Sequence, residues 1–295
     1  MRRFFYATDS DNEDFNNDDG KKPCLPRLST LPLGSDVALT DSIVHHWCRV
    51  LRANIGDQGI LFDGFGGEYQ VQLQTISKKQ AMVTLLTHLD EDRSAPIISK
   101  IGLVMSRGER MDYAIQKATE LGVTAIQLLS SHHGEVSLKP AQVDKKLQHW
   151  QQVAIAACEQ CGLNRLPLIL APVSIAEWLK NIDAEVLSTN MAVSPIVAAL
   201  SQDTYYQTLN TSADLRLQMS VPAAGQPAMP EKLLAILVQD LPYIELLIGP
   251  EGGLSNDECA KAEQTGFAPW QIGARVLRTE TAPVVALATL HALSP

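Results

Sequence analysis

The sequence predicts an α/β protein in which a small N-terminal β-barrel precedes a larger domain of alternating strands and helices. Residues 25–90 hold short apolar runs separated by turn signals, a pattern typical of a small barrel. From residue 97 onward, apolar runs of strand length alternate with segments of helical period, which indicates a sheet covered by helices. Two later strands each end in a glycine-bearing loop, as ligand-binding α/β sheets do.

The N-terminal domain is predicted to span residues 1–90 and the second domain residues 97–295. The residues between them form a charged segment that ends in Pro96, which is typical of a linker. Within the first domain, runs rich in β-branched and aromatic residues predict four strands. These strands are predicted at 37–39, 59–62, 69–75 and 81–86.

A helix predicted over residues 41–51 interrupts the strands of the barrel. It brings His46, Arg49 and Arg52 onto neighbouring turns, so that one region of its surface is cationic. A cationic surface of this kind is equally typical of a solvated face and of a nucleic-acid contact. The residues alone leave both interpretations open.

The chain has 295 residues, 45% of them hydrophobic, and a formal net charge of −9. That length and apolar content favour two domains with buried cores. The negative charge argues against RNA binding, which depends on Lys and Arg. However, six acids lie between residues 9 and 19, and without them the charge is −3. This polar segment is predicted to be a flexible acidic insertion over about 9–22, so local patches elsewhere decide RNA binding.

The cysteines and histidines predict neither a disulfide framework nor a metal site. The five cysteines are odd in number and scattered, so reduced thiols are expected. Cys158 and Cys161 form a C-x-x-C at the end of a long predicted helix, where no second pair completes a zinc site. Their helical spacing with Trp150 and Ala154 indicates a core face instead.

The sequence also predicts a cytoplasmic location. No run of eighteen or more apolar residues occurs, so no transmembrane helix is expected. The apolar stretch that begins at Phe4 is too short for a signal peptide before Asp9.

Strands and helices alternate in the first part of the second domain. Gly122 ends the first of these helices, since glycine adopts the left-handed conformation of a helix C-terminus without strain. Residues 181–230 lack a clear period and are longer than an ordinary connection, so they are predicted to include an insertion at about 184–213. The predicted elements are strands at 97–105, 123–129 and 215–219 and helices at 111–121 and 142–161.

The C-terminal region contains two strand ends that each open into a loop and then a helix. Ser255 and Glu258 have the capping-box spacing that starts a helix, and this helix is predicted to end before Gly266. Pro283 suits the first turn of a last helix, because its missing N–H costs nothing there. The strands of this region are predicted at 243–248 and 270–272.

The loops after these strands lie where open α/β sheets bind ligands, because backbone groups are bare at the carboxyl ends of strands. Glu251 lies within the first loop and would repel a polyphosphate, so a nucleoside triphosphate is not expected. A carboxylate-bearing glycine loop suits S-adenosylmethionine, which combines ribose hydroxyls, an adenine edge and a cationic centre. The residues alone leave open a second interpretation, in which this is a tight turn that only compacts the sheet.

Two motifs in this region resemble the cofactor-binding pair of the SPOUT methyltransferases. Residues 248–255 read Ile-Gly-Pro-Glu-Gly-Gly-Leu-Ser, and residues 272–282 read Ile-Gly-Ala-Arg-Val-Leu-Arg-Thr-Glu-Thr-Ala. The chain is specifically similar to the RsmE family, which methylates N3 of a uridine in 16S ribosomal RNA. The segments 105–111, 116–123 and 145–162 agree with the same family, so the resemblance covers most of the chain.

The resemblance implies a fold, a cofactor and partners. The fold is a SPOUT-type C-terminal domain with a deep trefoil knot, an exception to the rule that chains do not thread loops, preceded by a PUA-like β-barrel that binds RNA. The implied cofactor is S-adenosyl-L-methionine, held near the interface of a homodimer. The implied partner is 16S rRNA in the small ribosomal subunit, with no membrane and no metal.

The resemblance also implies three groups of site residues. Arg278 is assigned to stabilise charge on a carbonyl or a phosphate, because its guanidinium stays charged at every relevant pH, and Glu280 is assigned as the proton acceptor. Alternatively both are structural, since an Arg-Thr-Glu-Thr run before a helix can cap that helix and pair its own charges. The implied cofactor-binding residues are Ile248, Gly249, Pro250, Glu251, Gly252, Gly253, Ile272, Gly273, Leu277, Thr279, Thr281 and Ala282. The candidates for RNA contact are Arg2, Arg3, His46, Arg49, Arg52, Arg107, Arg110, Lys117 and Arg165.

One departure and three alternatives accompany this interpretation. At residues 131–134, Ser-His-His-Gly, the family more often has an acid followed by arginine, so RNA binding is not assigned to that loop. A non-catalytic RNA-binding protein would bind no cofactor, and a SPOUT methyltransferase could act at another RNA site. A Rossmann-type enzyme is disfavoured, because no G-x-G-x-x-G follows an early strand.

Overall fold

The computed structural model describes residues 1–7, 26–77, 80–184, 187, 195–221 and 229–295. These residues form two sheets, one in each predicted domain. The predicted acidic insertion at about 9–22 lies outside the described residues, as does part of the predicted insertion at 184–213. None of the described helices combines the length and the apolar character needed to span a bilayer.

The first sheet contains the strands β1 (Arg2–Phe5), β2 (Asp36–Ala38), β3 (Gln58–Phe62), β4 (Glu68–Ile76) and β5 (Ala81–Leu89). Their order is β1-β3-β4-β5-β2, and β1 pairs parallel with β3 whereas the other pairs are antiparallel. All four predicted barrel strands are confirmed. Buried and more exposed side chains alternate along β4 and β5, so one face of the sheet forms the core of the barrel.

Strand β1 was not predicted, since a four-residue run that begins with two arginines carries little strand signal. Successive side chains of a strand point to opposite faces. Arg3 therefore faces inward, where it bonds to the side chains of Glu68 and Asn164, while Arg2 is exposed.

Helix α1 (Asp41–Ile43) continues as a π-helical segment, Val44–Val50, in agreement with the helix predicted at 41–51. The Thr40 side chain caps it by accepting a hydrogen bond from the Ile43 amide at 3.3 Å. The buried Trp47 stacks on Phe4 with 5.0 Å between ring centroids, which fixes the helix against the barrel. A short 3₁₀ turn, Leu28–Thr30, precedes β2.

The second sheet contains β6 (Ile98–Val104), β7 (Ala125–Ser130), β8 (Leu168–Ser174), β9 (Leu215–Met219), β10 (Tyr243–Ile248) and β11 (Phe267–Trp270). All its strands are parallel, in the order β11-β9-β10-β6-β7-β8. Every residue of β6 and β10 is buried, as expected for inner strands covered on both faces. The predicted strand at 215–219 is confirmed at those bounds.

The helices cover both faces of this sheet and confirm those predicted. The Ser255–Glu258 capping box is present at the start of one of them, and Pro283 lies in the first turn of the last. They are α2 (Glu109–Glu120), α3 (Pro140–Cys161), α4 (Ile175–Lys180), α5 (Pro195–Leu200), α6 (Thr204–Gln207), α7 (Leu233–Leu237), α8 (Asn256–Gln264) and α9 (Ala282–Leu293), with a 3₁₀ turn at Thr208–Asn210.

The last strand corrects the prediction. The sequence prediction had a strand at 270–272, whereas β11 ends at Trp270 and pairs only with β9 at the edge of the sheet. An edge strand tolerates Pro269, which lacks an N–H. Of the two apolar residues that suggested a strand at 270–272, Trp270 is the last residue of β11 and Ile272 lies in the loop after it.

A buried ladder of charges crosses the three adjacent strands β6, β10 and β9. Glu245 of β10 lies in register with Lys100 of β6 and with Arg216 of β9. Its carboxylate forms an ion pair with Lys100, accepts a hydrogen bond from Arg216 Nε at 2.8 Å and another from the Tyr243 hydroxyl at 2.9 Å. Lys100 and Glu245 are both fully buried, so a one-residue slip of β10 would leave charges in the core without partners.

The two domains share an apolar interface. Phe5 and Phe62 of the barrel pack with Ile155 and Cys158 of α3, and with Leu200 and Tyr206 from the region of the predicted insertion. The Tyr206 hydroxyl donates a hydrogen bond to the Leu166 carbonyl at 2.8 Å. The described part of the predicted insertion therefore fills the groove between barrel and sheet.

Glu68 is the polar centre of this interface. Its carboxylate is 3% exposed and pairs with both Arg3 and Arg93. Burial alone raises the pKa of Glu68, but the hydrogen bonds from Arg93 and Arg3 outweigh burial and lower the pKa to about 2. The stabilisation that Glu68 contributes is therefore complete above its ordinary value of 4.5 and is lost as the pH falls towards 2.

We predict that Glu68→Gln lowers the free energy of unfolding at pH 7 by about 3 kcal/mol, which corresponds to a pKa lowered from 4.5 to about 2. The difference from the wild type should shrink as the pH falls from 4.5 to 2, because the wild-type carboxyl then becomes protonated. Urea unfolding followed by circular dichroism measures both effects. The matched control is Glu91→Gln: Glu91 pairs with Arg93 at 2.8 Å but is 60% exposed, so its loss should stay below about 1 kcal/mol. Equal losses would contradict this interpretation.

Candidate functional site

A cleft of about 360 Å³ opens at the carboxyl ends of β9, β10 and β11. Its walls come from the end of β9, from residues 249–254 (the Gly-rich loop) and from residues 271–281 (the C-terminal loop). The carboxyl ends of parallel strands carry bare backbone groups, so a ligand in this cleft meets N–H and C=O groups directly. The two glycine-bearing loops that the sequence predicted as ligand-binding loops are thus adjacent in space.

The Gly-rich loop is a tight turn. The Gly253 amide donates to the Pro250 carbonyl at 2.9 Å. Gly253 has a φ of +72°, a backbone conformation that residues with a side chain rarely adopt. A Cβ at Gly249 would come within 3.1 Å of the Leu254 side chain, so glycine at this position lets Leu254 pack close to the end of β10. The Thr279 hydroxyl donates to the Gly249 carbonyl at 3.3 Å, which joins the C-terminal loop to the Gly-rich loop.

Glu258 holds Ser255, the residue that follows the Gly-rich loop, and the loop that follows β7. One carboxylate oxygen accepts from the Ser255 amide at 2.8 Å and from its hydroxyl at 2.9 Å, while the other accepts from the His132 amide at 2.9 Å. Burial raises the pKa of Glu258, but these hydrogen bonds outweigh burial and lower it below its ordinary value. Glu258 therefore joins the start of α8 to the loop that follows β7.

The loop after β7 packs directly against the Gly-rich loop. The Nδ1 atom of His133 lies 3.2 Å from the Gly253 carbonyl oxygen, and a Cβ at Gly252 would lie 3.3 Å from the His133 Cβ. Arg110 of α2 also forms an ion pair with Glu251 of the Gly-rich loop. Residues 131–134, where the chain departs from the family pattern, thus contact the Gly-rich loop.

Arg278 and Glu280 flank cleft residues of the C-terminal loop. The Arg278 side chain is 73% exposed and its Nη1 lies 3.9 Å from Glu280 Oε1, the limit of an ion pair. The Glu280 side chain is 12% exposed, and its Oε2 has no hydrogen-bond partner among the described residues. The Arg278 carbonyl accepts from the Ala282 amide at 3.0 Å, which fixes the turn into α9. A buried carboxylate oxygen without a partner is available to a proton donor.

The cleft contains most of the cofactor-binding residues assigned from the sequence. Gly252, Gly273 and Thr281 lie outside its lining, and Gly252 instead faces His133. The assigned residues that line it are Ile248, Gly249, Pro250, Glu251, Gly253, Ile272, Leu277, Thr279 and Ala282.

The wall that β9 contributes to the cleft was not predicted from the sequence. Because β9 is parallel to β10, its carboxyl end reaches the same edge, and the predicted strand at 215–219 was a signal that could have located this wall. The missed lining residues are Gln218, Met219, Ser220, Val221, Leu254, Cys259, Glu263, Pro269, Arg275 and Val276. Among the described residues, no cluster of three or more His, Cys, Asp or Glu side chains could hold a metal ion.

The cations assigned to RNA contact have different surroundings. The side chains of Arg3 and Arg165 are 10% and 15% exposed, and Arg165 pairs with Asp92 and Asp203. Both arginines therefore form contacts at the domain interface and do not lie on an open surface. Lys117 pairs with Glu120 at 2.8 Å on α2. The remaining candidates are Arg2, His46, Arg49 and Arg52, exposed on the barrel, and Arg107 and Arg110, which pair with Glu135 and Glu251 near the cleft.

Two family models match the chain. The model described as an RNA methyltransferase domain matches residues 93–291. The model described as an RNA methyltransferase PUA domain matches residues 39–86. The two matches correspond to the domain with the parallel sheet and to the barrel.

Relatives resemble the chain over most of its length. Ribosomal RNA small subunit methyltransferase E of Buchnera aphidicola subsp. Acyrthosiphon pisum is 28% identical over 278 residues, which cover 92% of this chain and 95% of the relative. The Synechocystis protein of the same name is 31% identical over 257 residues, which cover 87% and 73%. The crystal structure of a ribosomal RNA small subunit methyltransferase E from Neisseria gonorrhoeae bound to S-adenosyl methionine has a TM-score of 0.72 at 28% identity, covering 99% of this chain and 98% of that one.

We predict that Glu258→Gln loosens the Gly-rich loop, because an amide is a weaker acceptor for three hydrogen bonds than a carboxylate. Hydrogen exchange of the amides at 249–255 should accelerate by about ten- to thirtyfold, corresponding to about 1.5–2 kcal/mol of local stability. Asp257→Asn is the matched control, since it removes the neighbouring first-turn acid, whose side chain forms no hydrogen bond or ion pair with a described loop residue, and should change exchange less than about threefold. The support by Glu258 is refuted if the two variants exchange alike.

Proposed function

This chain belongs to the RsmE family of ribosomal RNA methyltransferases, and we propose that it transfers a methyl group from S-adenosylmethionine to N3 of a specific uridine in 16S rRNA. The observation that carries the proposal is the cleft between the Gly-rich loop and the C-terminal loop, which the two methyltransferase motifs of the sequence build together. A relative that is 28% identical, with a TM-score of 0.72, was crystallised with this methyl donor bound.

The residues of the cleft fit the donor. Gly249 and Gly253 let a ligand approach the backbone, and the apolar Ile272, Leu277 and Ala282 offer a surface for a flat ring. Glu251 and Glu263 add negative charge to the wall, which suits a cationic ligand. When bound, S-adenosylmethionine supplies an electrophilic methyl group on a sulfonium. Arg110 pairs with Glu251 and Arg275 also lines the cleft, so these two cations offset most of the negative charge of the wall.

The chemistry at the acceptor requires two side chains. The N3 of uracil keeps its proton at neutral pH and becomes a nucleophile only when that proton is removed or shared. We assign Glu280 Oε2, buried and without a described partner, as the proton acceptor. Arg278, which is 73% exposed, would then stabilise the negative charge that develops on the carbonyl oxygens beside N3.

The barrel would hold the RNA. The exposed cations Arg2, His46, Arg49 and Arg52 lie on it, while Arg110 pairs with the cleft residue Glu251 and Arg107 pairs with Glu135 of the loop after β7. The acid partners of Arg107 and Arg110 are side chains at least 43% exposed, so phosphates can replace them at low cost. The partner would accordingly be 16S rRNA in the small ribosomal subunit.

We further propose a homodimer and a cytoplasmic location. The rim of the cleft exposes Val221 and Val276, which are 57% and 68% exposed, and a second copy of the chain would cover them. A ribosomal RNA substrate favours the cytoplasm. The deep knot implied by the resemblance is retained as part of the same proposal.

The proposed reaction is tested with small ribosomal subunits from a strain that lacks the gene. Wild-type protein and radiolabelled S-adenosylmethionine should yield one N3-methyluridine, located by primer extension and mass spectrometry, and calorimetry should give saturable donor binding. Donor binding without any RNA methylation would support a different substrate. RNA binding without donor binding would support the non-catalytic alternative. Methylation of an atom other than a uridine N3, or of an RNA other than 16S rRNA, would contradict the proposed reaction.

A second prediction separates the roles of the two catalytic candidates. Glu280→Gln should lower kcat by about 10²- to 10⁴-fold at pH 7, with part of the loss recovered at higher pH, since the imide then loses its proton without help. Arg278→Ala should lower kcat by about 10²-fold or more with no such recovery, because it removes charge stabilisation. Donor affinity measured by calorimetry should stay within about threefold for both. A flat pH response of Glu280→Gln would contradict its role as proton acceptor.

A further inference from the structure

The turn at residues 131–134, which follows β7, holds a histidine side chain against the Gly-rich loop. The amide of its last residue, Gly134, donates to the carbonyl of its first residue at 3.1 Å and closes the turn. A carboxylate oxygen of Glu258 accepts from the His132 amide at 2.9 Å, so the turn is also attached to α8. These two backbone contacts fix the position from which the His133 side chain leaves the turn.

Two contacts join His133 to the Gly-rich loop. A Cβ at Gly252 would lie 3.3 Å from the His133 Cβ, so glycine at this position lets the two loops pack closely. The Nδ1 atom of His133 lies 3.2 Å from the Gly253 carbonyl oxygen. A carbonyl oxygen can only accept a hydrogen bond, so Nδ1 carries a proton in this contact and donates it. The contact therefore selects one tautomer of the neutral imidazole, with the proton on Nδ1.

The bond from His133 sets the direction of one peptide group in the wall of the cleft. In a planar trans peptide, the C=O and the N–H of the next residue point to opposite sides. With the Gly253 carbonyl directed at His133, the Leu254 N–H points away from the imidazole. The Leu254 nitrogen lies 3.5 Å from the place that a Cβ on Gly249 would occupy. Gly249, Gly253 and Leu254 all line the cleft, so this peptide faces the space for a ligand.

The Leu254 amide is available to a ligand only while this peptide keeps its orientation. Among the described residues, no group accepts a hydrogen bond from that amide. The Gly253 amide is bonded to the Pro250 carbonyl, which leaves rotation about the Cα–C bond of Gly253 as the motion that turns the next peptide. Glycine restricts this rotation least of all residues, because it has no Cβ. A contact from outside the loop is therefore needed, and His133 provides it.

We propose that His133 is a positioning residue for the methyl donor: its Nδ1–H holds the Gly253–Leu254 peptide in the orientation in which the cleft binds S-adenosylmethionine. This inference rests on the proposed function, since it takes the cleft to hold that donor. His133 lies outside the cleft lining, so it acts through the peptide and not by touching the donor. Residues 131–134 depart from the family pattern, so this imidazole contact is a feature of the present sequence.

Calorimetric titration of full-length protein with S-adenosylmethionine, in the absence of RNA, tests the inference. His133→Leu removes the hydrogen-bond donor and should raise the Kd for S-adenosylmethionine about fivefold, the effect of losing one neutral hydrogen bond. His133→Asn keeps a side-chain N–H near the place of Nδ1 and should stay within about twofold of the wild type. A Kd that is the same for His133→Leu and the wild type, or for His133→Leu and His133→Asn, overturns the inference.

His132→Leu is the matched control. It removes the neighbouring imidazole of the same turn but keeps the His132 amide that Glu258 holds. The rings of His132 and His133 lie 4.8 Å apart, and leucine keeps an apolar side chain in that contact. The Kd for S-adenosylmethionine should stay within about twofold of the wild type. A rise equal to that of His133→Leu would show that the turn as a whole is disturbed, and it would overturn the specific role of His133.

NMR of isotope-labelled imidazole nitrogens gives a readout that a general loss of stability would not produce. In the free protein, the neutral His133 side chain should carry its proton on Nδ1. A proton on Nε2 overturns the inference. In steady-state kinetics, His133→Leu should raise the KM for S-adenosylmethionine about fivefold, with kcat and the KM for RNA unchanged, because saturating donor restores the occupied cleft.

The failure of this inference and the failure of the proposed function give different results. If the wild type binds S-adenosylmethionine and His133→Leu binds it equally well, the inference fails and the methyltransferase proposal stands. If the wild type binds no S-adenosylmethionine, the assignment of the cleft fails and the inference fails with it. An error in the RNA target alone leaves the titration unchanged, because no RNA is present.

Discussion

The ladder formed by Lys100, Glu245 and Arg216 fixes the register of the three central strands, and the candidate site depends on that register. Buried charges tolerate only the alignment that pairs them, because an unpaired charge in the core costs several kcal/mol. With Glu245 opposite Lys100 and Arg216, the carboxyl ends of β9 and β10 are set relative to one another. The end of β9 and the Gly-rich loop after β10 therefore both line one cleft. A purely apolar sheet would specify this alignment less strictly.

In the loops, too, side chains fix the position of the backbone: side chains from several elements hold a backbone that is rich in glycine. Arg110, His133, Glu258 and Thr279 come from four different parts of the chain, and each contacts the Gly-rich loop or its flanking cap. Glycine permits the turn but does not stabilise it, since it costs conformational entropy. The shape of the cleft is thus determined by residues that mostly lie outside the two sequence motifs.

The features that were predicted correctly from the sequence are those specified by residues close together in the chain. The strands with strong alternation, the Ser255–Glu258 capping box and the first-turn Pro283 all act over a few residues, and the structure confirms them. The missed features depend on distant partners. Strand β1 exists because β3 pairs with it, and Arg3 was assigned to RNA because no local pattern reveals its bond to Asn164, which is 161 residues away. The wall from β9 was missed for the same reason: a strand was predicted there, but its neighbours in the sheet were not. The knot and the residue roles stay predictions.

The buried contacts of Glu68, together with the packing of Phe5 and Phe62 on α3, attach the barrel firmly to the catalytic domain. If the barrel contacts RNA and the cleft methylates it, as proposed, this joint fixes the distance and the angle between the two contacts. An RNA that engages both would have to present the segment held by the barrel and the target uridine at that spacing, which a folded ribosomal segment provides and a flexible strand of the same sequence does not. Selection among the many uridines of a ribosome would then come from the architecture of the RNA more than from the letters around the target.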